Sequence, residues 1–153
     1  MTIMYYDSIR FFDVELYLIA TEQALIYVGT DKKRLLNATQ NAKKLNKYKT
    51  AIRAYQNKEI VAFDFPIELT ASNLQMEVFE ALKTIPYGET RTYTEIAEQI
   101  KRPKAVRAVG AAIGKNPLLV VIPCHRVIGK NGKLTGFSGG LSMKKSLLDL
   151  EKQ

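Results

Sequence analysis

The chain has 153 residues, 46% hydrophobic and 25% charged, with one cysteine, one histidine and a formal net charge of +8. That length builds one or two small domains without covalent staples. A lone cysteine excludes an internal disulfide and a cysteine-based zinc site, and it suits a reducing compartment. No run approaches the ~18 apolar residues of a membrane span, and the start, Met-Thr-Ile-Met-Tyr-Tyr-Asp, lacks the pattern of a secretory signal. A cytoplasmic protein off the membrane is expected, and nothing in the composition calls for a metal or a cofactor.

The N-terminal part alternates like a sheet. Val14–Ala20 and Ala24–Gly29 are β-rich runs around Thr21-Glu22-Gln23, which predicts a hairpin. Residues 31–46 read as an amphipathic helix, Thr50–Asn57 as a second helix, and Val61–Phe65 as a strand before Pro66. No recognisable chemistry lies here. Residues 1–69 are predicted to form a small α+β scaffold domain, with 66–71 as the linker.

From residue 72 the texture becomes helical, and residues 70–153 form the second predicted domain. Ser72 with Gln75 has capping-box spacing and opens a helix that carries Leu74, Val78, Phe79 and Leu82 inward. Pro86-Tyr87-Gly88 predicts a turn. Thr92 and Glu95 repeat the capping-box spacing before a stripe of Tyr93, Ile96, Ala97 and Ile100. After Arg102-Pro103 a third helix is predicted over Lys104–Lys115. Two short helices joined by a tight turn have the outline of a helix-turn-helix, a pattern that many helical proteins share.

Charge singles out the same region. Residues 1–69 carry 10 Lys/Arg against 8 Asp/Glu, whereas residues 70–153 carry 13 against 7. Between Glu98 and Asp149 there is no acid, while ten bases fall there, a stronger sign of a polyanionic partner than net charge alone. On the predicted 104–115 helix Val106, Val109 and Ile113 face the core, and Lys104, Arg107, Ala108, Ala111, Gly114 and Lys115 face away. A reader of the major groove needs several long polar side chains. Small residues instead let a backbone approach a minor groove closely, with one long side chain free to enter the base stack. On this pattern alone, a solvated, alanine-rich helix fits as well.

Cys124 and His125 stand together in Val-Val-Ile-Pro-Cys-His-Arg-Val-Ile, residues 120–128. Leu118–Ile122 reads as a buried strand that Pro123 ends, placing the thiol at the mouth of the core. Cysteine attacks as the thiolate, and a neighbouring histidine or cation lowers its pKa. A small buried thiol beside a structural histidine satisfies the same residues, because adjacent strand residues point to opposite faces. Downstream, Gly129–Lys133 predicts a turn, and Gly136-Phe137-Ser138-Gly139-Gly140 a loop suited to packing on a planar base. A last helix, Leu141–Lys152, would cover the core with Leu147, Leu148 and Leu150. Glu151 in its final turn opposes the helix dipole, which calls for a cationic or donor partner.

These residues, in this order, resemble the O6-alkylguanine-DNA alkyltransferases (methylated-DNA–protein-cysteine methyltransferases) across Ser72–Glu151. The Pro-Cys-His-Arg-Val signature stands at Pro123–Val127, Asn-Pro at Asn116-Pro117, Arg-Ala-Val-Gly at Arg107–Gly110 and Ser-Gly-Gly at Ser138–Gly140. The resemblance implies a ribonuclease H-like N-terminal domain and a winged-helix-like DNA-binding unit. It also implies direct, single-turnover repair of double-stranded DNA by a monomer, with no cofactor. Cys124 would accept the alkyl group from O6-alkylguanine, with O4-alkylthymine as a further candidate substrate. His125 would draw the thiol proton through a water, Glu151 would orient and charge the imidazole, and Asn116 would tie the turn between the two DNA-binding helices to the active-site strand. Tyr93 would donate toward guanine N3. Arg107 would replace the flipped nucleotide, with Lys104, Ala105, Ala108, Ala111, Lys115, Tyr93 and Thr94 along the DNA. Cys124, Val127, Phe137 and Ser138 would enclose the base; Phe137 stands where some members have tyrosine, so a hydroxyl bond there is lost.

Three rivals share parts of this pattern. A non-catalytic alkylguanine sensor lacks the acceptor cysteine. A cysteine hydrolase would turn over repeatedly and would not need Arg107. A helix-turn-helix regulator would not need Cys-His.

Overall fold

In the computed structural model, which describes residues 2–152, β1 (Tyr5–Phe11) runs into β2 (Val14–Ala20) through a two-residue turn. β2 pairs antiparallel with β3 (Leu25–Gly29), and the short β4 (Thr39–Gln40) lies parallel to β1. The strand order is therefore β3-β2-β1-β4. Helix α1 (Ala42–Gln56) starts at Asn41, whose side chain accepts from Lys44 N, a standard N-cap. It turns Leu45, Tyr48, Ile52 and Tyr55 inward, the i, i+3, i+7 spacing of one helix face. This unit ends at Leu69 and a second begins at Thr70.

Several predicted elements change here. The helix expected over 31–46 and the one near 50–57 are replaced by a 3₁₀ turn at Lys32–Leu35, strand β4 and the single helix α1. Asn37 and Asn41 interrupt the helical pattern, and Asn41 caps rather than continues it. Val61–Phe65 forms no strand; Phe63 instead packs tilted against Tyr55 and Phe65 edge-on against Tyr48. β1 went unpredicted because Asp7, Ser8 and Arg10 obscure its alternation. Asp7 is nevertheless buried, its carboxylate receiving Lys49 Nζ at 2.6 Å.

In the second unit α2 (Asn73–Lys83) and α3 (Tyr93–Gln99) both open with complete capping boxes, Ser72/Gln75 and Thr92/Glu95. Helix α4 (Val106–Gly114) is shorter than predicted. Lys104 lies in the preceding turn and Ala105 is its N-cap without a side-chain bond. Arg102 reaches Glu77 with two bonds of 3.1 and 3.0 Å, fixing the α3–α4 turn to α2. Strand β5 (Arg91–Thr92) pairs in parallel with β6 (Val127–Ile128). Helix α5 (Leu141–Glu151) closes the unit, burying Met143, Lys144, Leu147 and Glu151; Leu148 and Leu150 are only half-buried.

The largest correction concerns Leu118–Ile122, which is not a strand. Val121 N donates to Leu119 O at 2.8 Å around Val120, whose φ is +73°. Cys124 N donates to Ile122 O at 2.7 Å around Pro123, at φ −79° and ψ 61°. Two tight three-residue turns thus take the place of a ladder. An apolar run buried on all sides looks alike in either conformation, so periodicity could not separate them. Among the described residues no helix is long and apolar enough to cross a membrane.

Candidate active site

Asn116 follows the C-terminus of α4 and is buried. Its Oδ1 accepts Leu118 N at 2.9 Å, and its Nδ2 donates to Ile122 O at 2.9 Å and lies 3.1 Å from Cys124 Sγ. One amide thus closes the irregular turn and touches the thiol at its end; contrary to expectation, its side-chain bonds among the described residues reach only Leu118, Ile122 and Cys124 and not the turn between α3 and α4. The left-handed backbone at Val120 is uncommon for a β-branched residue, and strain of this kind persists where surrounding bonds over-determine it. Asn116 supplies those bonds.

Cys124 opens a 3₁₀ turn, Cys124–Arg126, and its thiol is 2% exposed. Burial pushes the Cys124 pKa up to about 11, opposed by the Asn116 hydrogen bond and the positive charge of Lys144. His125 is fully buried, and its Nε2 sits 2.7 Å from Glu151 Oε2. Burial holds the imidazole below its ordinary pKa despite the carboxylate, with Arg126 and Lys144 adding to the depression. A neutral ring facing an acceptor-only carboxylate carries its hydrogen on Nε2. Nδ1 is then the free base, and it is buried without a hydrogen-bond partner among the described residues. The structure therefore pairs Cys124 with Asn116 and His125 with Glu151, the two pairs joined by the Cys124–His125 peptide bond, and the donor foreseen for Glu151 is present.

Two members of the cluster were not anticipated. Arg126 is buried and donates to both oxygens of Glu151, at 2.8 and 2.9 Å, and to Ile85 O at 2.7 Å. Gly88 N adds a bond to Glu151 Oε1 at 3.4 Å. The carboxylate at the unfavourable C-terminal end of α5 is thus neutralised by a guanidinium. Lys144 is fully buried and donates to Thr135 O at 2.8 Å. Its sequence signal was its place on the α5 stripe with Leu147 and Glu151, where a lysine breaks the apolar pattern.

Around this centre the remaining expected residues fall in two groups. Tyr93, half-buried at the start of α3, donates its hydroxyl to Thr135 O at 3.1 Å. Val127 is buried in β6, while Phe137 is half-buried and Ser138 exposed in the loop before α5. That loop is tight: a Cβ on Gly139 would stand 2.8 Å from both Met143 Sδ and Phe137 Cε2, so no side chain fits there without displacement. On α4 Val109, Ala112 and Ile113 are buried, whereas Arg107, Ala108, Ala111, Gly114 and Lys115 are exposed. Val106, expected in the core, is only half-buried, as are Ala105 and Thr94; Lys104 is exposed.

Comparison with known proteins gives one consistent result. The family described as 6-O-methylguanine DNA methyltransferase, DNA binding domain, matches residues 73–153. An inducible methylated-DNA–protein-cysteine methyltransferase of Bacillus subtilis is 42% identical over 98% of this chain and 91% of its own. The crystal structure of the Mycobacterium tuberculosis O6-methylguanine methyltransferase superposes with a TM-score of 0.92 at 39% identity, over 98% of this chain and 93% of that one. The M. tuberculosis OGT in complex with DNA gives 0.91 at 40% identity, over 97% and 92%.

Proposed function

The chain belongs to the methylated-DNA–protein-cysteine methyltransferase family, and from that premise we propose how its own residues carry out alkyl-transfer DNA repair. The observation that carries the reading is the Cys124 thiol, held by Asn116 at 3.1 Å, with His125 beside it in the chain and fixed by Glu151 at 2.7 Å.

The substrate is O6-alkylguanine in duplex DNA, with O4-alkylthymine as a further candidate. Transfer is displacement at a saturated carbon: the Cys124 sulfur–carbon bond forms as the carbon–O6 bond breaks. A thiolate is the reactive form, and a thiol with a pKa near 11 needs its proton removed. His125 Nδ1 takes it through one water, while the Nε2–H···Glu151 bond steadies the imidazolium that results. Arg126 keeps Glu151 charged and in place. Tyr93 donates toward guanine N3 and offsets the charge that builds on the leaving base. The product thioether has no route back, so one molecule repairs one lesion.

The alkyl group lies out of reach within a stacked duplex, so the nucleotide must rotate out. Helix α4 offers the minor groove a smooth face at Ala108 and Ala111, and Arg107 fills the vacated stack. Lys104, Ala105, Lys115 and Thr94 follow the backbone, and Phe137, Ser138, Val127 and Cys124 enclose the base. The protein acts as a cytoplasmic monomer. The strand order β3-β2-β1-β4 with its parallel fourth strand supports a ribonuclease H-like first unit. The α3–α4 pair with the β5–β6 ribbon supports a winged-helix-like second one.

Intact mass after mixing with an O6-methylguanine duplex tests the reading. A stoichiometric gain of one methylene unit on Cys124 is expected; an unmodified protein beside repaired DNA would refute it.

A further inference from the structure

We propose that Lys144 is a positioning residue that frees the Tyr93 hydroxyl to change partners during alkyl transfer. The inference rests on the alkylguanine reading above. Thr135 O accepts two donors at once, Tyr93 Oη at 3.1 Å and Lys144 Nζ at 2.8 Å, while Thr135 Oγ1 lies 3.3 Å from the same phenol oxygen. A carbonyl has two lone pairs, but a phenol has one hydrogen. Tyr93 therefore cannot donate to the base while it donates to Thr135.

Lys144 resolves this conflict. When Tyr93 turns its hydrogen to guanine, the ammonium still satisfies Thr135 O, and the Phe137–Ser138 loop stays in place. Thr135 Oγ1 can donate to the phenol oxygen meanwhile and hold its direction. The placement is otherwise costly, since Lys144 is fully buried and has no ion pair among the described residues. Burying a cation without a counter-charge is unfavourable, and a methionine would fill the space more cheaply. Its Nζ also stands over the Tyr93 ring, 5.9 Å from the centroid.

The test is a double-variant comparison with two readouts. In single-turnover transfer to an O6-methylguanine duplex, Lys144→Met is expected to slow the saturated rate about 10-fold, the scale of one hydrogen bond to a reacting group, with little change in half-saturating DNA. Lys144→Arg should recover most of the rate. In a Tyr93→Phe background, Lys144→Met should cost clearly less, leaving only the loss of its charge near Cys124, because no phenol remains to be trapped. Equal fold-losses in both backgrounds would overturn the proposal. The second readout is amide hydrogen exchange without DNA at Gly129 and Gly140, whose N–H groups donate to Lys133 O and Phe137 O at the two ends of the loop. Each single variant keeps one donor on Thr135 and should retain near-wild-type protection, while the double variant loses it. If either single variant loses as much as the double, the two donors are not interchangeable and the proposal fails. Absence of transfer by the wild type would instead refute the alkylguanine reading itself.

Discussion

Asn116 Nδ2 lies 3.1 Å from Cys124 Sγ and 2.9 Å from Ile122 O, so the residue that shapes the turn also solvates the nucleophile. Asn116→Ala should remove both effects. Leaving Leu118 N unsatisfied costs about 1–3 kcal/mol when buried, Ile122 O keeping its bond from Cys124 N, and chemical denaturation should show a loss of that order. Thiol titration should show Cys124 pushed further up, since a hydrogen bond that favours its anion is gone. Asn116→Asp should raise it more, by placing a negative charge against the sulfur. An unchanged titration in both variants would make Asn116 purely structural.

Cys124→Ser should abolish transfer and leave affinity for damaged duplex near wild type, because α4 presents its exposed face through other residues. Intact mass and a binding titration on the same preparation check this. Residual transfer near the wild-type rate would exclude Cys124 as acceptor.

Glu151 accepts from His125, Arg126 and Gly88 N, where one cationic or donor partner was expected. Glu151→Gln leaves Arg126 buried without its counter-charge, and breaking a buried pair from one side costs about 3–5 kcal/mol. His125→Ala spares the Arg126–Glu151 pair and should cost less stability. Both should slow thiol alkylation, general-base assistance being worth about 10²–10⁴-fold. Thermal melts beside alkylation rates separate the two effects, and equal stability losses would contradict the dominant role given to Arg126.

Stability should fall on both sides of neutrality. The folded His125 pKa lies below its ordinary 6.5, so its contribution is present above that value and is lost as pH falls. The folded Cys124 pKa is raised from 9.0 to about 11, so its contribution is present below 9.0 and is lost as pH rises through 11. Lys144 acts oppositely in the alkaline range, because burial lowers its pKa from 10.5, and stability from that group grows as pH rises. The difference between wild type and Cys124→Ala in denaturant midpoint against pH isolates the thiol. A difference that stays flat from pH 8 to 11 would contradict its buried, protonated resting state.

Arg107 is exposed on α4 among Ala108, Ala111 and Gly114, none of which can fill a vacated stack. Arg107→Ala should slow repair of duplex DNA far more than reaction with free O6-benzylguanine, which needs no base rotation. Lowering salt restores a lost phosphate contact but not a lost wedge, whose unstacking cost is a few kcal/mol. Equal slowing of both substrates, or full rescue at low salt, would remove Arg107 from this role.

The sequence alone determined what local chemistry can specify. Capping boxes at Ser72 and Thr92 placed the starts of α2 and α3 to the residue, because their bonds span three positions. The small exposed face of α4 followed from helical periodicity, and the order of Asn-Pro, Pro-Cys-His-Arg-Val and Ser-Gly-Gly gave the family. The tertiary structure decided what depends on distant partners. Leu118–Ile122 became turns rather than a strand because the Asn116 side chain, not a neighbouring strand, satisfies part of that backbone. The two helices expected over 31–57 became β4 and α1 because β4 pairs with β1, a strand hidden by its polar residues. Arg126 and Lys144 entered the site because a 25-residue separation from Glu151 and a loop carbonyl at Thr135 are closed only in three dimensions. A buried charge takes its meaning from its partner, and its own stretch of sequence does not name that partner.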